Sequence, residues 1–114
     1  MSEKWEIIAA GKLQSAIKPL FAVDPKESAT IYQITLVSDD SGQRQVSVYI
    51  QKRLPDGSFS ENILFSPKGL LIDEGDRHDI LDNPIQLGGN DSFNGICDVA
   101  DQVHFIVFGI TKKP

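Results

Sequence analysis

"ATIYQITLVSDDSGQRQVSVYIQKRL", residues 29–54, decides the fold class. Its second half alternates: Val46, Val48 and Ile50 share one parity, and Gln45, Ser47, Tyr49 and Gln51 share the other. Successive side chains of an extended chain point to opposite faces, so this pattern describes a strand with one buried and one wet face. The first half is β-branched and aromatic. Tyr32, Ile34 and Leu36 fall on one face, with Thr30, Gln33 and Thr35 relieving the apolar pattern. Between the halves, "SDDSGQ" (38–43) is turn chemistry, with Asp and Ser side chains to cap the backbone and Gly42 to accept positive φ. The two halves are expected to form an antiparallel pair.

The same grammar runs outward in both directions. "WEIIAAGKL" (5–13) and "KPLFAV" (18–23) read as strands, the second closed by Asp24-Pro25. "PDGS" (55–58) is a hairpin turn from which "FSENILF" (59–65) returns. "LLIDEGDRHDIL" (70–81) holds two short apolar pieces around an acidic turn; Ile85–Leu87, "FNGICDVA" (93–100) and "QVHFIVFGIT" (102–111) complete the series. No apolar stripe has helical period beyond a single turn's length near 12–17. The expectation is an all-β chain: a single-domain antiparallel β-sandwich over 1–114, of jelly-roll or Greek-key character, with about eight short strands.

Composition narrows the function. A chain of 114 residues with 40% hydrophobic and 24% charged side chains fits one soluble globular domain. A net charge of −5, without clustered Lys or Arg, argues against nucleic acid or an anionic membrane as partner. "MSEKWEIIAAGKL" has no long apolar core behind a basic region, so no signal peptide is expected, and no run approaches the roughly 20 apolar residues of a membrane span. The single cysteine, Cys97, permits no internal disulfide and reads as a small semi-buried side chain.

No motif declares a reaction. Asp73, Asp76, Asp79 and Asp82 recur every third residue, with Glu74 and His78 between them. They lack the order of a calcium loop, and a strand–turn–strand splays them to different faces, so a solvated turn is expected and no metal. "GGNDSFNG" (88–95) has neither the Lys nor the helix of a phosphate loop and reads as tight turning with close backbone approach. No catalytic residue and no cofactor are expected. Tyr49, on the polar side of its strand, is the one candidate ligand contact if the chain binds a glycan.

The last strand poses a different question. In "QVHFIVFGIT" Val103, Phe105 and Val107 are apolar, and so are Ile106, Phe108 and Ile110 on the opposite parity. One set belongs in the core. The other needs cover from the same chain or from a neighbour, and either set is a candidate subunit contact. Trp5, in the 1–17 segment, is a second candidate contact on a neighbouring subunit.

"LLIDEGDRHDILDNPIQLGGNDSFNGICDVADQVHFIVFGI" together with "PLFAVDPKESATIYQITLVSDDSG" resembles the small all-β structural proteins of tailed bacteriophage virions. The shared features are a Gly-containing turn before a short strand, a Leu-x-x-Gly-Asp-like turn before an apolar residue and a Gly, and a closing apolar strand. The resemblance spans 18–111 and departs at Asn90-Asp91, where members often have Gly-Asp, and at Asp39-Asp40, where Asn is common. It implies a non-enzymatic virion protein made in the host cytoplasm and repeated many times, as a head decoration (cement) protein. Its partners would be the major capsid protein or other virion proteins and sister copies, with a trimer favoured. The alternative is a neck- or tail-associated module that binds a glycan or receptor.

Overall fold

In the computed structural model, residues 6–38, 42–67, 69–80 and 84–113 are described; Trp5, Asp39, Asp40 and Asp82 lie outside them. The described residues form ten strands: β1 (Glu6–Lys12), β2 (Lys18–Ala22), β3 (Ser28–Ser38), β4 (Arg44–Gln51), β5 (Ile63–Leu64), β6 (Leu70–Ile72), β7 (Arg77–Asp79), β8 (Ile85–Leu87), β9 (Ser92–Cys97) and β10 (Val103–Lys112). They form two antiparallel sheets. Sheet A runs β1-β10-β3-β7, with β8 also on β3; sheet B runs β2-β9-β4-β5, with β6 also on β4.

The short strands merge in pairs. β5 lies against Tyr49 and Ile50 of β4, and β6 against Arg44–Val46, so together they fill one strand position. β7 and β8 share a position beside β3 in the same way. Eight positions result, and their pairing is nested: β1 with β10, β2 with β9, β3 with β7/β8, β4 with β5/β6. That is one long hairpin rolled into two sheets, the winding of a jelly roll. The expected β-sandwich is present.

The expected β3–β4 pair is not. β3 lies in sheet A and β4 in sheet B, so the chain crosses the sandwich between them. Turn residues and alternation look alike whether a turn returns within one sheet or passes to the other. The expected single face for Tyr32, Ile34 and Leu36 also fails. Phe108 pairs with Gln33 but Gly109 with Ile31, which leaves Tyr32 as the extra residue of a bulge. Ile31 and Ile34, three residues apart, therefore both enter the core, while Tyr32 is only half-buried. Gly109 at this bulge is sterically required, because a Cβ there would collide with the Thr30 carbonyl oxygen.

The core is made by inward residues of both sheets, including Ile31, Ile34, Leu36 and Val107 from A and Val48 and Phe93 from B. Phe65 packs edge-on against Phe93, ring centroids 5.3 Å apart. Residues 12–17 form no helix. Their backbone is engaged elsewhere: Leu13 N–H donates to Val103 O (2.8 Å), Cys97 N–H to Gln14 O (2.9 Å) and Asp101 N–H to Leu13 O (2.9 Å). The β1–β2 connection is thus tied to the β9–β10 turn. No helix among the described residues is long and apolar enough to cross a membrane.

Candidate functional site

β10 answers the question of its two apolar faces. Val103, Phe105 and Val107 are in the chain's own core, with Val103 and Val107 at 0% exposure. They leave the set of candidate contacts. His104, Ile106, Phe108 and Ile110 point outward and are half-buried. Residues directly opposite on antiparallel strands share a face. Ile106 is therefore flanked by Ala10 and Thr35, Phe108 by Ile7 and Gln33, and His104 by Lys12 and Val37. A shallow depression of about 570 Å³ lies here, lined by Ala10, Gly11, Lys12, Val37, His104 and Ile106 with the edge of Phe105. Ile7, at 62% exposure, extends this apolar surface beside Phe108.

A polar clasp borders the row. Asp79 Oδ1 accepts from the Thr35 hydroxyl (2.7 Å) and from Gln33 Nε2 (3.1 Å), and Arg77 Nε lies 3.3 Å from it. Partial burial acts to raise the Asp79 pKa. The Thr35 hydrogen bond and the Arg77 guanidinium outweigh it, and the carboxyl titrates below its ordinary value. The other acids of the series do not join it. Asp73 accepts from Gln43 Nε2 (2.9 Å), and Asp73 and Asp76 are exposed on the β6–β7 turn. Among the described residues no three His, Cys, Asp or Glu side chains are grouped to hold a metal.

A second apolar surface was not anticipated from the sequence. Of the eight large apolar side chains exposed among the described residues, five (Leu54, Phe59, Ile63, Leu64 and Leu71) fall between 54 and 71. They lie along the β5/β6 edge of sheet B and the arm before it. The signal was in "NILF" and "LLI", which read as short strands without saying which way their apolar residues point. β5 and β6 are too short, at two and three residues, to bury both faces.

The rest of the outer face of sheet B is mostly polar, with Ile96 on β9 as an apolar exception. Tyr49 stands on it, half-buried, opposite Asn94 on β9 and Leu64 on β5. The next row holds Gln51 and Ser92. The arm after β4 folds back over this face: Gln51 Nε2 donates to Ser60 O (3.0 Å), and Asn94 Nδ2 donates to Asn62 Oδ1 (2.7 Å) and Gln51 Oε1 (3.4 Å). Beside this network runs a groove of about 320 Å³ lined by Ile17, Pro19, Ala22, Val23, Gln51, Phe59, Asn90, Ser92 and Asn94.

Asp91 anchors the arm. Its buried carboxylate accepts from Arg53 N–H (2.8 Å) and Gly88 N–H (2.8 Å), and Lys52 Nζ lies 3.3 Å away. "GGND" does work by close approach, since a Cβ at Gly89 would collide with the Pro25 carbonyl oxygen. Cys97 is buried, more fully than expected, and desolvation followed by the nearby Asp98 pushes its thiol pKa up, which disfavours the reactive thiolate. Comparison of the chain with protein-family models, with curated proteins and with solved structures gives no significant match.

Proposed function

We propose that this chain is a non-enzymatic structural protein of a bacteriophage virion, a head decoration protein that packs against the major capsid protein and against sister copies as a trimer. Jelly rolls build capsid proteins, lectins and cupins alike, so the fold by itself selects no function. The observation that carries the reading is the outward row Ile106, Phe108 and Ile110, continued by Ile7, Ala10 and Val37, on the central strand of sheet A. Covering such a face is worth about 25 cal/mol per Å² of apolar area removed from water. The β5/β6 edge supplies a second apolar surface. A protein that cements a lattice needs two such surfaces, one toward sister copies and one toward the capsid. The net charge of −5 discourages adhesion to packaged DNA. Adhesion is then the whole mechanism: the two surfaces cross-link neighbouring capsomers and stabilise the shell.

Two measurements test this. Light scattering after size exclusion should give a mass near three times 12.6 kDa. Mass spectrometry of purified particles of the phage that encodes the chain should find it in many copies. A monomer at high concentration removes self-association from the reading, and absence from the particles overturns it.

A further inference from the structure

Ser92 and Asn94 stand on the solvent side of sheet B, yet they are only 7% and 6% exposed. They form the floor of the groove beside β2 and β9. Of the nine residues that line this groove, none is ionisable, in a chain of which 24% is charged. One wall is apolar, from Ile17 and Pro19, with Phe59 also facing the groove and 53% exposed. The floor is made of amides and a hydroxyl: Gln51, Ser92 and Asn94.

These polar groups are held in place before any ligand arrives. Both hydrogens of the Asn94 amide are committed, to Asn62 and Gln51, and Ser92 Oγ donates to Asn94 Oδ1 (3.3 Å). Gln51 is fixed in turn by Ser60 O. Hydrogen-bonding capacity is left over. Each carbonyl oxygen has two lone pairs and each amide nitrogen two hydrogens, so Gln51 keeps one donor and the Asn94 oxygen one acceptor site. Asn90, at the end of the groove, hydrogen-bonds no described residue through its side chain. The backbone there is pinned in the left-handed region (φ 69°) by Asn90 N–H to Val23 O (2.9 Å).

A ligand for this groove must offer donors and acceptors together, carry no charge, and present an apolar flank to a ring and a proline. Neutral saccharides have this chemistry: hydroxyls that both donate and accept, and faces of C–H groups that pack on aromatic rings. We infer that the groove between β2, β9 and the 52–62 arm is a binding site for a neutral saccharide, with Gln51, Asn90 and Asn94 as its hydrogen-bonding groups and Phe59 as its packing surface. This site lies on the opposite sheet from the proposed β10 interface; it shares only Phe59 with the apolar surface of residues 54–71 and does not depend on the assembly reading. It also shifts the glycan contact expected at Tyr49 along the same face, to Asn94 directly opposite it and Gln51 in the next row.

The test is titration of the ¹⁵N-labelled full chain with maltose, cellobiose, lactose and N,N′-diacetylchitobiose, and with glucuronate and glucosamine as charged controls. At least one neutral disaccharide should give saturable shifts at the side-chain amides of Gln51, Asn90 and Asn94, with a dissociation constant of about 1 mM, ordinary for a small open site. Phe59→Ala removes an exposed ring and should weaken binding about tenfold, and Asn90→Gly, which keeps the left-handed backbone, roughly threefold to tenfold, as for one neutral hydrogen bond. Both positions are away from the core, so the folded spectrum should persist. Leu71→Ala, on the other edge of the face, should bind as the parent does. No saturable shift with any of the four, shifts that map elsewhere, or preference for a charged sugar overturns the inference.

Discussion

β9 and β10 follow one another in the chain and occupy matching central positions in the two sheets, yet they treat their outer faces in opposite ways. Inward they are alike. Phe93 and Cys97 on β9 and Val103 and Val107 on β10 are all sealed in one core. Outward, β9 shows Ser92, Asn94 and Ile96, while β10 shows His104, Ile106, Phe108 and Ile110. The polar outer face of β9 is roofed by an arm of the same chain and its hydrogen bonds. The apolar outer face of β10 is flanked by Ile7, Ala10 and Lys12 of β1 and by Gln33, Thr35 and Val37 of β3. Stability is thus shared between the sheets, whereas the proposed recognition surfaces are divided between them.

The largest effects should show that sharing. Phe93→Ala, on β9, should cost about 3–5 kcal/mol, and Leu36→Ala, from β3 beside β10, about 2–5 kcal/mol. Urea unfolding checks both. A cost confined to one sheet would mean that the two halves do not fold as one cooperative unit.

Next comes the roof over β9. Asp91→Ala leaves the partly buried N–H groups of Arg53 and Gly88 without their acceptor. The expected cost is about 1–3 kcal/mol for each group that finds no water. Hydrogen exchange should show residues 52–62 opening before sheet A does. Uniform loss of protection across both sheets would instead make Asp91 a core element rather than the arm's anchor.

Then comes the outer face of β10. Ile106→Ser together with Ile110→Ser should lower the urea midpoint only slightly, about 1 kcal/mol, since both side chains are half-buried. The same variant should lose the proposed trimer in light scattering. If the trimer survives, the sister contact belongs to the β5/β6 edge, and Leu64→Ser with Leu71→Ser should dissolve it.

The smallest effect separates the clasp from the row it borders. The Asp79 carboxyl is held below 3.8 in the folded chain. Its contribution is therefore present above the unfolded value and lost as pH falls through the lower folded one. The side chain is 42% exposed, so solvent screens the effect and it is small. As pH falls below about 4, the parent should lose slightly more stability than Asp79→Asn. Equal acid slopes would show that the Thr35–Asp79–Arg77 group adds nothing to folding.

Much of this was legible in the sequence. The alternation of β4 placed Val46, Val48 and Ile50 inward, and β10 announced that both its faces were apolar. Which parity of β10 was core was not legible, because Phe105 and Phe108 are equal candidates for burial until the Tyr32 bulge sets the register with β3. Nor was the sheet to which β4 belongs, since "SDDSG" turns the chain without saying where it goes. The groove was harder still. Gln51, Phe59, Asn90 and Asn94 come from an arm, a turn and two strands, and each looks like an ordinary surface residue until the nested pairing brings them together. Tyr49 drew attention as the only aromatic on a wet face, but Phe59 read as a strand residue because the arm's fold-back leaves no local periodicity.

The nesting of the strand pairs also orders events in time. β10 lies between β1 and β3, so those two strands touch no common partner until residues 103–112 are available. During synthesis the ribosome delivers β4 and β5/β6, the innermost pair, long before it delivers β10. Sheet B can begin to zip from its hairpin outward, while sheet A has only the short β7 and β8 ladders on β3. The first strand made must wait for the last, with Ile7 and Ile8 exposed in the interval. Pairings that bridge nearly the full chain are slow to form. That waiting time is the stage at which chaperones matter most, and the stage at which a truncated chain would aggregate.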